Sequence, residues 1–486
     1  MTLQSLGERR RCRRTSTWNR RMFLKLAGCS ALSLPWSACS RTGPRTLSGS
    51  VIVGGAGLSG LAAAMLLEER GIRVTVLEAR DRLGGKIVTM NGVPGLPEGG
   101  GPTIIEAYER LLRIAAAVGV RMVPGPAFEP DMLLHVSEQS VKVQEWANSP
   151  ANRTEGAERP IPPPLLLSYY TGQKLPLEDF SAWIAPRHAA LDIPLDEYLR
   201  RLGASREALR LINVAPNTND IATTSALWAL RDAQRRRDTK AKTVLGAEGG
   251  NSRFIERMAA SLKSEILKGK EIRAVTSLSD RVEVACADGS KFQADYCILT
   301  MPFSVLRDVV IDPPLEGPQK EAVAELPHTA ITKYFVVPRA PFWDEDGLPP
   351  TMWTDSIIER VFPMRDDKGR IENFTVWVDG TNAQKLDRMP RADQERLVLE
   401  ELARMRPATR GRVEIAAMIS WGNDPYARGA YEHYGVGHVT RFKPYMALPW
   451  KRIHFAGEHT AVTSPGMEGA IESAERAVDE VLQRYA

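Results

Sequence analysis

The stretch "SVIVGGAGLSGLAAAMLLEERGIRVTVLEARDRLGGK" (50–86) sets Gly55, Gly57 and Gly60 just after a short apolar run and closes the next such run with Glu78. Glycines at this spacing permit a tight turn, close approach of backbone to a phosphate, and close packing of a helix on a strand. A helix starting there presents unpaired N–H groups and a partial positive charge to an anion. A carboxylate at the distance of Glu78 accepts hydrogen bonds from ribose hydroxyls, whereas a 2′-phosphate would call for a basic residue. The combination predicts a dinucleotide site. It runs on into Arg80, then Gly84 and Gly85, then Lys86, a second glycine pair that nicotinamide dehydrogenases do not generally need.

A second concentration of unusual residues lies near the other end, in "GEHTAVTSPGMEGAIESAERA" (457–477). Gly466 and Gly469 flank the first turn of a helical pattern, with Pro465 and the pair Glu458–His459 just upstream. A helix that only closes a core has no need of these glycines. Here too a helix N-terminus would meet a ligand, and the notable positions are Glu458, Gly466 and Met467, with His459 read as structural.

These residues need elements to hold them. Val51–Val53 and 73–78 read as strands around an Ala/Leu-rich helix, 248–262 opens a helix, and 281–302 alternates as strands around Asp288–Gly289. "RIHFAGEHT" (452–460) reads as a strand, and small and apolar residues recur at helical spacing from 466 to 484. The fold expected is α/β, with a Rossmann-like domain assembled from sequence-distant pieces. Its segments are 46–105, 243–302 and 448–486, and 106–242 and 303–447 form a mixed α+β substrate domain. The Pro-rich 159–167 reads as a connector and the charged 235–242 as a solvated helix end.

The chain is long enough for two or three domains, and its 43% hydrophobic and 25% charged residues suit a soluble globular protein. Its net charge of +5 does not indicate a nucleic-acid partner. Arg9, Arg10, Arg11, Arg13, Arg14, Arg20, Arg21 and Lys25 face only Glu8 before residue 40, so the rest of the chain is slightly acidic. Residues 1–45 have the layout of a leader: basic residues, "NRRMFLK", a short apolar run, then small residues around Cys39. The paired arginines resemble a bacterial twin-arginine export signal, which implies a periplasmic or otherwise extracytoplasmic destination. The apolar run is too short for a transmembrane helix; a lipid anchor at Cys39 and a homodimer are left open. Outside the leader only Cys286 and Cys297 remain, too few for a metal site and read as packed hydrophobes.

The glycine pair after Arg80, "HFAGEHT…GMEGAIES", "ITKYFVVPRAPFW" (331–343) and "WGNDPYARGAY" (421–431) together resemble the flavin monoamine oxidase family, which includes polyamine and L-amino acid oxidases. The resemblance covers nearly all of the chain beyond the leader. It implies FAD, with Arg80 and Lys86 near its phosphates and flavin; the family's usual residue at position 86 is arginine. It implies further that Val275 contacts adenine through its backbone, that Glu458 binds the ribityl chain, that Gly466 admits the ring, and that the Met467 N–H faces the pyrimidine edge. Lys333 would hold a water against flavin N5, Trp421 would border the flavin, and Tyr431 would wall the amine site. Ala430 stands where some relatives carry a cysteine bonded to flavin, which implies noncovalent FAD.

The implied reaction is oxidation of an amine to an imine, hydrolysed to aldehyde or ketone, with the reduced flavin reoxidised by dioxygen to give hydrogen peroxide. An L-amino acid oxidase is the alternative, but it needs a cation for the substrate carboxylate, and Pro102 or Thr103 stands where several such relatives carry arginine. A dehydrogenase using another acceptor and a nonenzymatic flavoprotein are further alternatives. Gly466 also replaces the second aromatic of the two-aromatic cage common in amine oxidases, so the amine site is expected to be roomier or differently closed.

Overall fold

The computed structural model describes residues 48–125, 129–241 and 243–485. The twin-arginine motif and Cys39 therefore lie outside the described residues. Ser50–Gly54 is apolar on both faces because it is the middle strand of a five-stranded sheet. The order is Glu265–Leu267, Arg73–Leu77, Ser50–Gly54, Tyr296–Leu299, Ile453–Phe455, and every neighbouring pair is parallel. Both faces of the strand are covered: Val51 and Val53 are buried with the helices Leu58–Glu69 and Gly466–Tyr485, and Ile52 shares a core with Val275, Val282 and Val284 of a neighbouring sheet. The sheet thus draws on three distant stretches of chain, a Rossmann-like α/β arrangement built from discontinuous segments.

Four helices position the site: α1 (Leu58–Glu69), α2 (Glu109–Ala117), α3 (Ala226–Thr239) and α4 (Gly466–Tyr485). α1 is lined by Ala62, Ala63 and Ala64, small enough for α4 to lie close against it, and Ser59 Oγ meets Ser473 Oγ at 3.3 Å. α4 is the helix expected from the spacing at 466–484. Its Glu468 carboxylate accepts from the Arg110 and Leu111 N–H groups at 3.0 and 3.1 Å, supplying the acceptor that the N-terminus of α2 requires.

The second large sheet has seven strands in the order Val413–Ser420, Ile331–Pro338, Ile371–Asp379, Arg360–Arg365, Met352–Thr354, Leu133–Val136, Gln139–Lys142. All pairs are antiparallel except the one between Met352–Thr354 and Leu133–Val136. Lys333 is in register with Trp377, so these two side chains share a face. The alternation at 281–302 is a hairpin, Val282–Cys286 against Lys291–Ala294, followed by the parallel strand Tyr296–Leu299. Cys286 and Cys297 are unbonded and buried. The connector at 159–167 is partly helical, with a 3-10 turn at Pro163–Leu165 that feeds the helix Leu166–Gln173. Among the described residues no helix is long and apolar enough to cross a membrane.

Candidate active site

Gly55 leaves the first strand at φ +110°, and a Cβ there would lie 2.6 Å from Thr300 Oγ1. At Gly60 a Cβ would fall 1.9 Å from the Gly55 carbonyl oxygen, so helix and strand approach closer than any side chain allows. Gly57 starts α1 and bridges Gly84, while a Cβ on Gly85 would sit 3.2 Å from Gly57 Cα. The two glycine loops are therefore in backbone contact at the N-terminus of α1. Glu78 is buried beside them, its carboxylate accepting from the Ala56 and Arg80 N–H groups at 2.8 and 2.9 Å. Arg80 pairs with Asp424 and lies 5.2 Å over the Tyr426 ring. Burial pulls the Lys86 ammonium below its ordinary pKa, against the attraction of Glu458 and Glu432.

These residues line a cavity of about 580 Å³, which Glu458, Gly466 and Met467 line as well. The loop before α4 is tied down by the helix itself. Glu472 accepts from the Val462, Thr463 and Ser464 N–H groups at 2.8, 2.9 and 2.8 Å, and Ser473 Oγ accepts from Gly457 N–H at 2.9 Å. Gly469 is required there, since a Cβ would meet the Ser464 carbonyl oxygen at 2.1 Å. The Gly466 N–H donates to Glu458 at 3.3 Å. A Cβ at 466 would meet only the Tyr108 hydroxyl within 4 Å, at an ordinary contact distance of 3.5 Å.

Tyr431 and Trp377 also line the cavity. The Tyr431 hydroxyl donates to the Asn217 carbonyl at 3.1 Å, and burial raises its pKa well above the usual phenol value. Lys333 and Trp421 do not reach the cavity surface; each is 2% exposed and stands one layer behind it. The Trp421 Nε1–H donates to the Gly99 carbonyl at 3.0 Å. The Lys333 ammonium donates to the Glu98 carbonyl at 3.1 Å and sits 3.9 Å over the Trp377 ring, so Trp377 is its neighbour on the cavity side. Burial lowers Lys333 to a pKa of about 7 and raises Glu98 to about 7.

Several expectations change. Val275 is buried in its strand and does not line the cavity; Glu271, Ile272 and Arg273 do, at the start of that strand and ahead of or within the bulge between Ile272 and Ala274. Arg235 is not part of a solvated helix end: with Trp228, Arg231 and Asp232 it forms the face of α3 that lines the cavity. His459 lines the cavity as well, held neutral by burial, with its Nε2 unpartnered among the described residues. Tyr108, Trp377, Glu98 and Glu432 were not singled out by the sequence. Glu432 had a pointer nearby, since it directly follows the quoted stretch 421–431.

A glycine cradle for a dinucleotide and a second helix N-terminus, both lining one cavity with aromatic walls, define a flavoprotein oxidoreductase. Residues 58–482 match the family described as flavin containing amine oxidoreductase, and the chain belongs to that family. Human amine oxidase [flavin-containing] B is 25% identical over 460 residues, spanning 89% of this chain and 86% of that protein. The flavin-dependent L-tryptophan oxidase RebO of Lentzea aerocolonigenes is 27% identical over 465 residues, spanning 88% and 97%. Among solved structures, wild-type putrescine oxidase bound to putrescine has a TM-score of 0.73 at 22% identity, covering 90% of this chain and 100% of that one. Cyclohexylamine oxidase from Brevibacterium oxydans IH-35A has a TM-score of 0.74 at 19% identity, covering 90% and 99%. These two show the fold.

The protein is an FAD-dependent amine oxidoreductase. The cradle suits the cofactor: at Gly55, Gly60 and Gly84 a Cβ would collide with neighbouring atoms, and the Glu78 carboxylate is fixed beside the glycine loops by two backbone N–H groups. Ala430 lines the cavity, no cysteine among the described residues does, and FAD is held noncovalently.

Proposed function

We propose that the cavity beside Tyr431 and Trp377 takes an amine substrate, that dioxygen is the electron acceptor, and that Lys333 moves protons for the reaction. Bound FAD would supply the two-electron chemistry, accepting a hydride equivalent from the carbon bearing the amine. Gly55, Gly57, Gly84 and Gly85 would hold its phosphates near the N-terminus of α1, Glu78 its ribose, and Glu458 and Met467 the flavin side. Tyr431, Trp377 and Tyr108 supply aromatic walls that orient the amine and exclude water. Such walls favour the neutral amine, whose lone pair assists C–H cleavage, over the ammonium form that dominates in water. Lys333, with a pKa of about 7, can hold or release a proton near neutral pH.

The observation that carries this reading is the continuity of the glycine cradle, the α4 N-terminus and the aromatic walls around one cavity. Its test is reduction of the purified holoenzyme by amines without oxygen. Primary, secondary or polyamines are expected to bleach the flavin absorbance, and readmitted air is expected to restore it with stoichiometric hydrogen peroxide. A flavin that no amine or amino acid bleaches would falsify the enzyme reading. Bleaching followed by slow reoxidation in air would assign the electrons to an acceptor other than dioxygen.

We also propose that the chain is exported after folding, the paired arginines Arg20 and Arg21 and the short apolar run behind them supporting the twin-arginine route. Residues 1–45 fused to a reporter should carry it into the periplasm. The double substitution Arg20→Lys and Arg21→Lys should stop it, and export undiminished by that change would sink the proposal.

A further inference from the structure

Arg231 lies in the cavity wall with its side chain 5% exposed. Its Nε and Nη2 have no hydrogen-bond partner among the described residues. The nearest acid, Glu432, is 4.0 Å from Nη1, beyond hydrogen-bond length, and its own Oε2 is unpartnered too. Burial and the adjoining Glu458 hold the Glu432 carboxyl well above its usual pKa, so it favours the neutral form, and the charged acid near the guanidinium, Asp232, is shared with Arg235 and Arg236. The Trp183 ring, 4.6 Å from the guanidinium carbon, fixes one face of the group. One turn further along α3, Arg235 pairs with Asp232 at 2.8 Å but leaves its Nε unpartnered. A buried cation with open donors is costly unless something accepts from it.

We infer that Arg231, with Arg235 beside it, is an anion subsite, and that the enzyme selects amines carrying a carboxylate. The inference rests on the amine-oxidation reading and names its substrate class. The planar fork of a guanidinium matches the two oxygens of a carboxylate. Trp228, Arg231, Asp232 and Arg235 fall at helical spacing, so the stripe of α3 that faces the cavity is polar and carries two arginines. Pro102 and Thr103 also line the cavity but supply no charge. The cation missing at those positions comes instead from α3.

The test begins with binding to the oxidised holoenzyme, followed by flavin absorbance, of 3-phenylpropionate and its neutral amide. The carboxylate is expected to bind at least about tenfold more tightly, and Arg231→Gln to weaken it by about tenfold to a hundredfold. The ratio of kcat/KM for phenylalanine to that for phenethylamine should fall by a comparable factor in Arg231→Gln, with Arg231→Lys intermediate. Equal affinity of the wild type for acid and amide overturns the proposal even where a variant fails to fold. An unchanged acid-to-amide ratio in Arg231→Gln also overturns it, whether water alone satisfies the guanidinium or, if FAD is released, the cofactor's phosphates do. Carboxylate binding through Arg231 with no reduction of flavin by any amine or amino acid leaves the anion subsite standing and removes the amine-oxidation reading.

Discussion

Lys333→Met is expected to slow flavin reduction or reoxidation by about a hundredfold, the scale of a lost general acid–base group, while FAD stays bound. Lys333 touches the Glu98 carbonyl and the Trp377 ring rather than the glycine cradle, so cofactor retention should not depend on it. Stopped-flow measurement of the two half-reactions separates the effects. The wild-type rate of the affected step should titrate near pH 7, following the Lys333 ammonium, and that dependence should vanish in the variant. Unchanged half-reactions would remove Lys333 from the mechanism.

The same lysine makes stability depend on pH with a definite sign. Its folded pKa of about 7 lies below the unfolded value of 10.5, so the unfolded chain binds more protons between those values, and stability rises with pH across that window. Glu98 acts below it: a folded pKa of about 7 against 4.5 unfolded means stability is lost as pH rises from about 4.5 to 7. Together they place a local minimum of stability near neutrality. In Lys333→Met the rise above pH 7 should shrink by the Lys333 share, on the order of 3 to 5 kcal/mol across the window, leaving that of Lys443, which burial also lowers to about 7. Thermal unfolding of both proteins from pH 5 to 10 measures it, and parallel curves would show that Lys333 is not held near neutrality.

Gly60→Ala is expected to have the largest effect on the fold of the cofactor site. The added methyl would lie 1.9 Å from the Gly55 carbonyl oxygen and 3.0 Å from its carbon, backbone atoms that cannot rotate away. The helix must move off the strand, at a cost of about 3 kcal/mol or more, and the N–H groups of α1 move with it. Unfolding should come several degrees lower, and FAD affinity should fall at least about tenfold. Gly57→Ala is the informative comparison, because its Cβ would meet Gly85 Cα at 3.8 Å, an ordinary contact. That variant should keep its stability and lose affinity only through crowding of the phosphates. Wild-type unfolding and FAD dissociation in Gly60→Ala would show that the helix has room the geometry denies it.

The glycine positions and Glu78 were legible in the sequence because their roles are local: a turn, a helix start and a strand end within one stretch. α4 was legible for the same reason, from its period. Glu472 and Ser473 lie in the same quoted stretch, yet their task of fastening the loop before α4 depends on where that loop returns in space.

The sequence by itself determined the cofactor cradle, the strand and helix pattern of the parallel sheet, and the family. These follow from backbone sterics and hydrophobic period, which act between neighbours in the chain. The tertiary structure alone decided what lines the cavity. A polar stripe such as Trp228, Arg231, Asp232 and Arg235 ordinarily faces solvent, and only the packing of α3 turns it onto the cavity. Likewise the space beside Gly466 is met by Tyr108 from α2's start. Lys333 and Glu98 owe their perturbed charge to burial, a property of the assembled sheets that no spacing of residues encodes.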